Sequence, residues 1–164
     1  MTAAIQGATA SATRPAVLDA PPLSIARERA EHDALLYAGG VTPEQAWALV
    51  SAGEAVLVDV RTAEERKFVG HVPGSVHVAW ATGTSMTRNP RFVKELETRV
   101  GKDVVILLLC RSGKRSAAAA EAAAKAGFRH VFNVLEGFEG ELNGDGQRRN
   151  SGGWVVRSLP WQQD

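Results

Sequence analysis

"VVILLLCRSGKRSAAAAEAAAKAG", residues 104–127, joins an apolar run to an alanine-rich segment through a short loop that carries the sole cysteine of the chain. Residues 104–109 are wholly apolar and show no alternation of inward and outward positions, the pattern of a central strand covered on both faces. The segment from Lys114 onward is built from strong helix formers and stops at Gly127. A covered strand that turns at once into a helix predicts a parallel α/β sheet. Cys110 then falls at the carboxyl end of the most buried strand, which is where such sheets bind ligands.

Outward from this stretch the same alternation continues. "AVLVDV" (55–60), "SVHVAW" (75–80) and "HVFNVL" (130–135) are further strand candidates. Helical composition marks "LSIARERAEHDALLYAGG" (23–40), which ends in a glycine pair, and "VTPEQAWALVSAGE" (41–54), with Thr42 as N-cap and Pro43 at the first helical position. "AEERKFVG" (63–70) and "PRFVKELETRVG" (90–101) complete the set of helices. The stretch "NGDGQRRNSGG" (143–153) predicts a loop or hairpin from its Asn-Gly and Asp-Gly turns. The alternation predicts a mostly parallel central sheet flanked by helices, in one domain over 23–164. Residues 1–22, rich in Ala and Thr, read as a poorly ordered lead-in.

Composition narrows the function classes. The 164 residues hold 19 Lys and Arg against 18 Asp and Glu, a net charge of +1, which gives no nucleic-acid footprint. No run reaches membrane-spanning length and the N-terminus lacks a signal-peptide pattern, so the expectation is a soluble, cytoplasmic protein with no membrane partner. One cysteine forms no internal disulfide, and His32, His71, His77 and His130 are too scattered for a metal site.

The surroundings of Cys110 favour a reactive thiolate. Arg111, Lys114 and Arg115 follow within five positions, and a helix beginning near Lys114 to Ser116 would aim free N–H groups and its positive end at the sulfur. Gly113 permits backbone angles closed to other residues, so that successive N–H groups can converge on one centre. Ser116 offers either a hydroxyl to the sulfur or a capping group. Asp59 and Arg61, at the end of another strand, belong to the same face, as pocket groups or as a structural ion pair. His71 and the tryptophans Trp80, Trp154 and Trp161 read most simply as packing residues.

"CRSGKRS" (110–116) resembles the active-site loop of the rhodanese family of sulfurtransferases. "DVRTAEERKFVGHVPGSVHV" (59–78) is similar to that family's Asp-Val-Arg strand end, acidic helix and Gly-His-Val-Pro-Gly-Ser segment. "VFNVLEGF" (131–138) and "GGWVVRSLPW" (152–161) resemble its last strand and its closing helix, so the likeness runs over residues 41–161. The resemblance implies the rhodanese-like three-layer fold and a thiosulfate sulfurtransferase. Cys110 would attack the outer sulfur of thiosulfate or a similar anionic donor and hold it as a persulfide. It would then pass that sulfur to cyanide, a thiol or a protein acceptor, with no metal or organic cofactor. Substrate binding is expected from Arg111, Ser112, Gly113, Lys114, Arg115 and Ser116, with Asp59 and Arg61 beside them.

Two other readings use the same loop. One is a phosphatase or arsenate-reductase-like enzyme, but only four residues separate Cys110 from Arg115, whereas the related phosphatases use a longer loop around a larger anion. The other is an oxyanion-binding regulatory module without turnover. The chain departs from the family pattern at 138–151, "FEGELNGDGQRRNS", an added segment expected on the active-site face. It reads as a solvated surface loop or as a wall of the pocket in which Arg148 and Arg149 select an anion.

Overall fold

The computed structural model describes residues 14–164. In chain order the strands are β1 (Gly39–Val41), β2 (Val56–Asp59), β3 (Val76–His77), β4 (Ala81–Thr82), β5 (Thr87–Arg88), β6 (Ile106–Leu109) and β7 (Val131–Val134). The α-helices are α1 (Leu23–His32), α2 (Pro43–Ser51), α3 (Ala63–Phe68), α4 (Phe92–Arg99) and α5 (Lys114–Lys125). Five strands form one parallel sheet in the order β1-β7-β6-β2-β3, while β4 and β5 make a separate antiparallel hairpin.

Residues 106–109 of the quoted apolar run form β6 at the centre of this sheet with both faces covered, while Val104 ahead of them is exposed. Leu107 and Leu109 point to a core shared with α1, α2 and the C-terminal segment, through Leu23, Ala46, Leu49 and Trp154. Ile106, Leu108 and Cys110 point to the opposite core, formed with Phe92 and Leu96 of α4 and Ala119, Ala120 and Ala123 of α5. The period of two along a strand therefore decides that the thiol faces α5. Small side chains on α5 let the helix lie close to β6 and β7, and α2 and α3 each start with a complete capping box, from Thr42 to Gln45 and from Thr62 to Glu65.

Several expectations are corrected. The helix predicted over 23–40 ends at His32, and Gly39 and Gly40 open β1, where they pair with Phe132 and Asn133. Such a strand is created by the partner backbone rather than by its own side chains. "SVHVAW" contributes only two residues to the sheet, and the hairpin β4–β5 carried no recognisable signal. The expected closing helix over "GGWVVRSLPW" is a series of turns, anchored by the buried Trp154, whose Nε1 donates to the carbonyl of Pro160 at 2.8 Å. Of the lead-in predicted over 1–22, residues 1–13 lie outside the described residues, while residues 16–19 form a 3-10 turn that buries Leu18 completely. No helix among the described residues is long and apolar enough to cross a membrane.

Candidate active site

Cys110 follows directly on β6, the middle strand, and is buried. Gly113, at the N-cap of α5, has φ 101°, a left-handed conformation that costs a residue with a side chain dearly. A Cβ added there would still find its nearest neighbour, the Glu136 nitrogen, at 3.6 Å, so backbone strain rather than space demands glycine. That conformation turns the Gly113 N–H toward the sulfur, at 3.1 Å from Sγ. The Ser116 hydroxyl oxygen lies 3.2 Å from the same Sγ, so an amide and a hydroxyl meet at one sulfur near the positive end of a helix. Ser116 is fully buried, and its hydroxyl contacts Cys110 Sγ and the Asn133 side chain rather than a backbone group, which favours the first of the two readings of its hydroxyl.

The three cations of the loop separate in space. Arg115 forms a forked ion pair with Glu65 of α3, at 2.7 and 2.9 Å. The bond to Glu65 raises the Arg115 guanidinium above its ordinary range against the opposing effect of burial, and the charge of Cys110 adds to the rise. Burial pushes the Glu65 carboxyl up, but Arg115 outweighs it and holds the group below the usual carboxylate range. Arg111 is half-buried with its Nε unpartnered, and Ser112 is half-buried beside it. Lys114 is exposed at the first turn of α5.

Asp59 and Arg61 form a scaffold. Arg61 donates to both carboxylate oxygens of Asp59, through Nε at 3.0 Å and Nη2 at 2.7 Å, and to the carbonyl of Gly70 at 2.8 Å. The Arg61 backbone N–H donates to Asp59 Oδ1 at 3.0 Å, Arg66 adds a fourth contact to that carboxylate at 2.9 Å, and the Arg61 guanidinium lies 4.3 Å from the centre of the Phe138 ring. Burial pushes the Asp59 carboxyl up, yet the two arginines hold it below its ordinary range. With both oxygens of Asp59 engaged, the pair fits the structural alternative of the two readings, while Nη1 of Arg61 is buried without a hydrogen-bond partner. It ties the end of β2 to the segment after α3. His71 is a packing residue, bridged through its backbone to Gln162.

Residues absent from the sequence reading complete the site. Asn133 of β7 places Oδ1 2.5 Å from the Ser116 oxygen and donates from Nδ2 to the carbonyl of Gly113 at 3.1 Å. The segment after β7 clamps the cysteine loop from behind. Phe138 N–H donates to the Cys110 carbonyl at 2.8 Å, and Glu139 and Gly140 donate to that of Arg111 at 2.9 and 3.2 Å. Gly137, at φ 66°, lies so close that a Cβ would stand 2.6 Å from Arg111 and Cys110 backbone atoms. Arg148 donates to the Gly140 carbonyl, while Arg149 contacts Glu139 and the Val69 carbonyl. Both guanidiniums brace the added segment, and the expectation that they select an anion is not supported by these contacts.

Residues 42–141 match the rhodanese-like domain family. The chain belongs to that family. It is 36% identical over 118 residues to the uncharacterized protein RP600 of Rickettsia prowazekii, covering 70% of this chain and 88% of the relative. To the thiosulfate sulfurtransferase GlpE of Actinobacillus succinogenes it is 30% identical over 100 residues, covering 61% of this chain and 80% of that one. Among solved structures it resembles Rv0390 from M. tuberculosis, with TM-score 0.71 and 44% identity over 78% of this chain and 99% of the other.

Proposed function

We propose that this chain is a sulfurtransferase that moves a sulfane sulfur from an anionic donor such as thiosulfate to cyanide or to a small-molecule or protein thiol. The carrier is a persulfide on Cys110. The observation that carries this reading is the convergence of the Gly113 N–H and the Ser116 hydroxyl on Sγ, at 3.1 and 3.2 Å. Hydrogen bonds to a charged sulfur stabilise thiolate, which is the nucleophile this chemistry needs. Likeness to proteins named as thiosulfate sulfurtransferases, from Actinobacillus succinogenes and Arabidopsis thaliana, supports the donor class.

In the first half-reaction the Cys110 thiolate attacks the outer sulfur of thiosulfate. A bond forms between Sγ and that sulfur, the donor's S–S bond breaks, and its electron pair leaves with sulfite. In the second, cyanide or an acceptor thiolate attacks the outer sulfur of the persulfide, and the electron pair returns to Sγ. Fixed donors of the 111–116 loop would hold the negative charge with little rearrangement. Arg111 and Lys114 supply the charge for the donor's oxyanion end, because Arg115 is engaged by Glu65. Neither half calls for a metal or an organic cofactor.

Intact-protein mass spectrometry after incubation with thiosulfate tests the reading. Gain of one sulfur atom by the wild type and by no folded Cys110→Ser protein is expected, with thiocyanate released on adding cyanide. A folded wild type that takes up no sulfur from thiosulfate or any other sulfane donor would sink it.

A further inference from the structure

Asn133 is the one polar side chain in β7, whose other members Val131, Phe132 and Val134 are buried and apolar, and it is itself only 4% exposed. An amide in such a place is costly unless both of its ends are paired. Here they are, and the pairing has a direction. Nδ2 must face the Gly113 carbonyl 3.1 Å away, so Oδ1 faces the Ser116 oxygen at 2.5 Å. Ser116 also lies 3.2 Å from Cys110 Sγ. A hydroxyl has one proton to donate, and two acceptors compete for it, the amide oxygen and the sulfur.

We propose that Asn133 is a positioning residue of the sulfur-transfer cycle, acting as the alternative acceptor for the Ser116 proton. The inference rests on the reading of Cys110 as a persulfide carrier. While Cys110 is a thiolate, the hydroxyl turns to Sγ. Once the persulfide forms, the negative charge resides on the outer sulfur, Sγ becomes a neutral divalent sulfur, and the hydroxyl turns back to Oδ1 of Asn133. When an acceptor attacks the outer sulfur, the S–S bond breaks, its electron pair returns to Sγ, and the hydroxyl rotates again to stabilise the departing thiolate. The proton stays on Ser116 throughout. Asn133 therefore opposes the thiolate through Oδ1, while through Nδ2 it anchors the loop whose Gly113 N–H supports that thiolate.

These two effects have opposite signs and only the one through Oδ1 passes through Ser116, so the same titration in the wild-type and Ser116→Ala backgrounds separates them. Cys110 is the sole cysteine, and the ultraviolet absorbance of its thiolate against pH reads the ionised fraction without any sulfur donor present. Asn133→Leu is expected to raise the thiolate fraction about fivefold at a pH below the midpoint of the transition, the weight of one neutral hydrogen bond. Asn133→Val, a β-branched residue suited to a covered strand, is measured beside it. Ser116→Ala is expected to lower the fraction, and in that background the Asn133 substitutions are expected to give no rise. A fall or no change in a folded Asn133 variant overturns the proposal, as does a rise that persists in the Ser116→Ala background. An arm that needs no core substitution uses the wild type, in which the Asn133 side-chain amide resonances should shift as the thiol titrates. Resonances that stay fixed through that transition likewise overturn it. Persulfide failing to form while these titrations come out as expected would remove the proposed function and leave the competition at Cys110 standing.

Discussion

Asp59 is fully buried with three side-chain contacts from two arginines and a fourth from the Arg61 backbone N–H, so its carboxylate neutralises charge that would otherwise sit uncompensated at the end of β2. Asp59→Ala removes that partner and leaves the wholly buried Arg61 charge unpaired. Breaking a buried pair from one side costs about 3–5 kcal/mol, and that loss is expected in urea unfolding. The candidate-site residues Cys110 and Ser116 differ from this scaffold pair. Cys110 and Ser116 are as buried as Asp59, yet their contacts meet at a sulfur that ion pairing does not occupy.

Glu65 links two elements, since its forked pair with Arg115 ties α3 to the start of α5. Its carboxyl is held below the ordinary value, so as pH falls the unfolded chain takes up a proton first, at about 4.3, and the folded state only lower. The stability from this pair is present above the unfolded value and is lost as pH falls through the folded one. Glu65→Gln is expected to flatten the acid limb of the stability profile below about pH 4, seen in denaturant melts over that range. The turn after β7 acts on the cysteine loop in a second way. Gly137→Ala would press a methyl group against Arg111 and Cys110 backbone atoms at 2.6 Å. The expected result is a loss of about 1–3 kcal/mol in thermal or urea unfolding, with slower sulfur loading from thiosulfate in the same protein.

Across the whole molecule, the C-terminal segment closes the core beneath β6 through Phe138 and Trp154. Trp154 is completely buried, meets Trp47 of α2 edge-on with ring centres 6.1 Å apart, and hydrogen-bonds to Pro160. Trp154→Ala leaves a large cavity there and is expected to cost about 3–5 kcal/mol, measured by chemical denaturation. The same tail returns to pair Gln162 with His71, so it connects the far end of the chain to the segment after α3. Loosening Trp154 should therefore also raise hydrogen exchange at the His71 amide, which donates to Gln162 at 2.8 Å.

Local pattern was enough where an element's own side chains decide its conformation. The apolar run 104–109 reads as a covered strand and supplies β6 over Ile106–Leu109, with Val104 left exposed, while Thr42 and Pro43 mark the start of α2 and the alanines after Lys114 specify α5. Cys110 and its glycine were legible for the same reason, because a strand, a tight turn and a helix in succession carry their signals in adjacent residues. What depends on distant partners was not. β1 is a strand because β7 lends it hydrogen bonds, and the closing segment forms turns because Trp154 is drawn into the core. Arg115 is separated from Glu65 by 50 positions, and Ser116 from Asn133 by 17. Residue types and short spacings determined the fold class and the position of the lone cysteine at the end of the central strand. Only tertiary packing decided which cation is already engaged by a carboxylate and which buried amide lies against the serine hydroxyl, since a hydrogen bond between remote residues leaves no periodicity in a sequence.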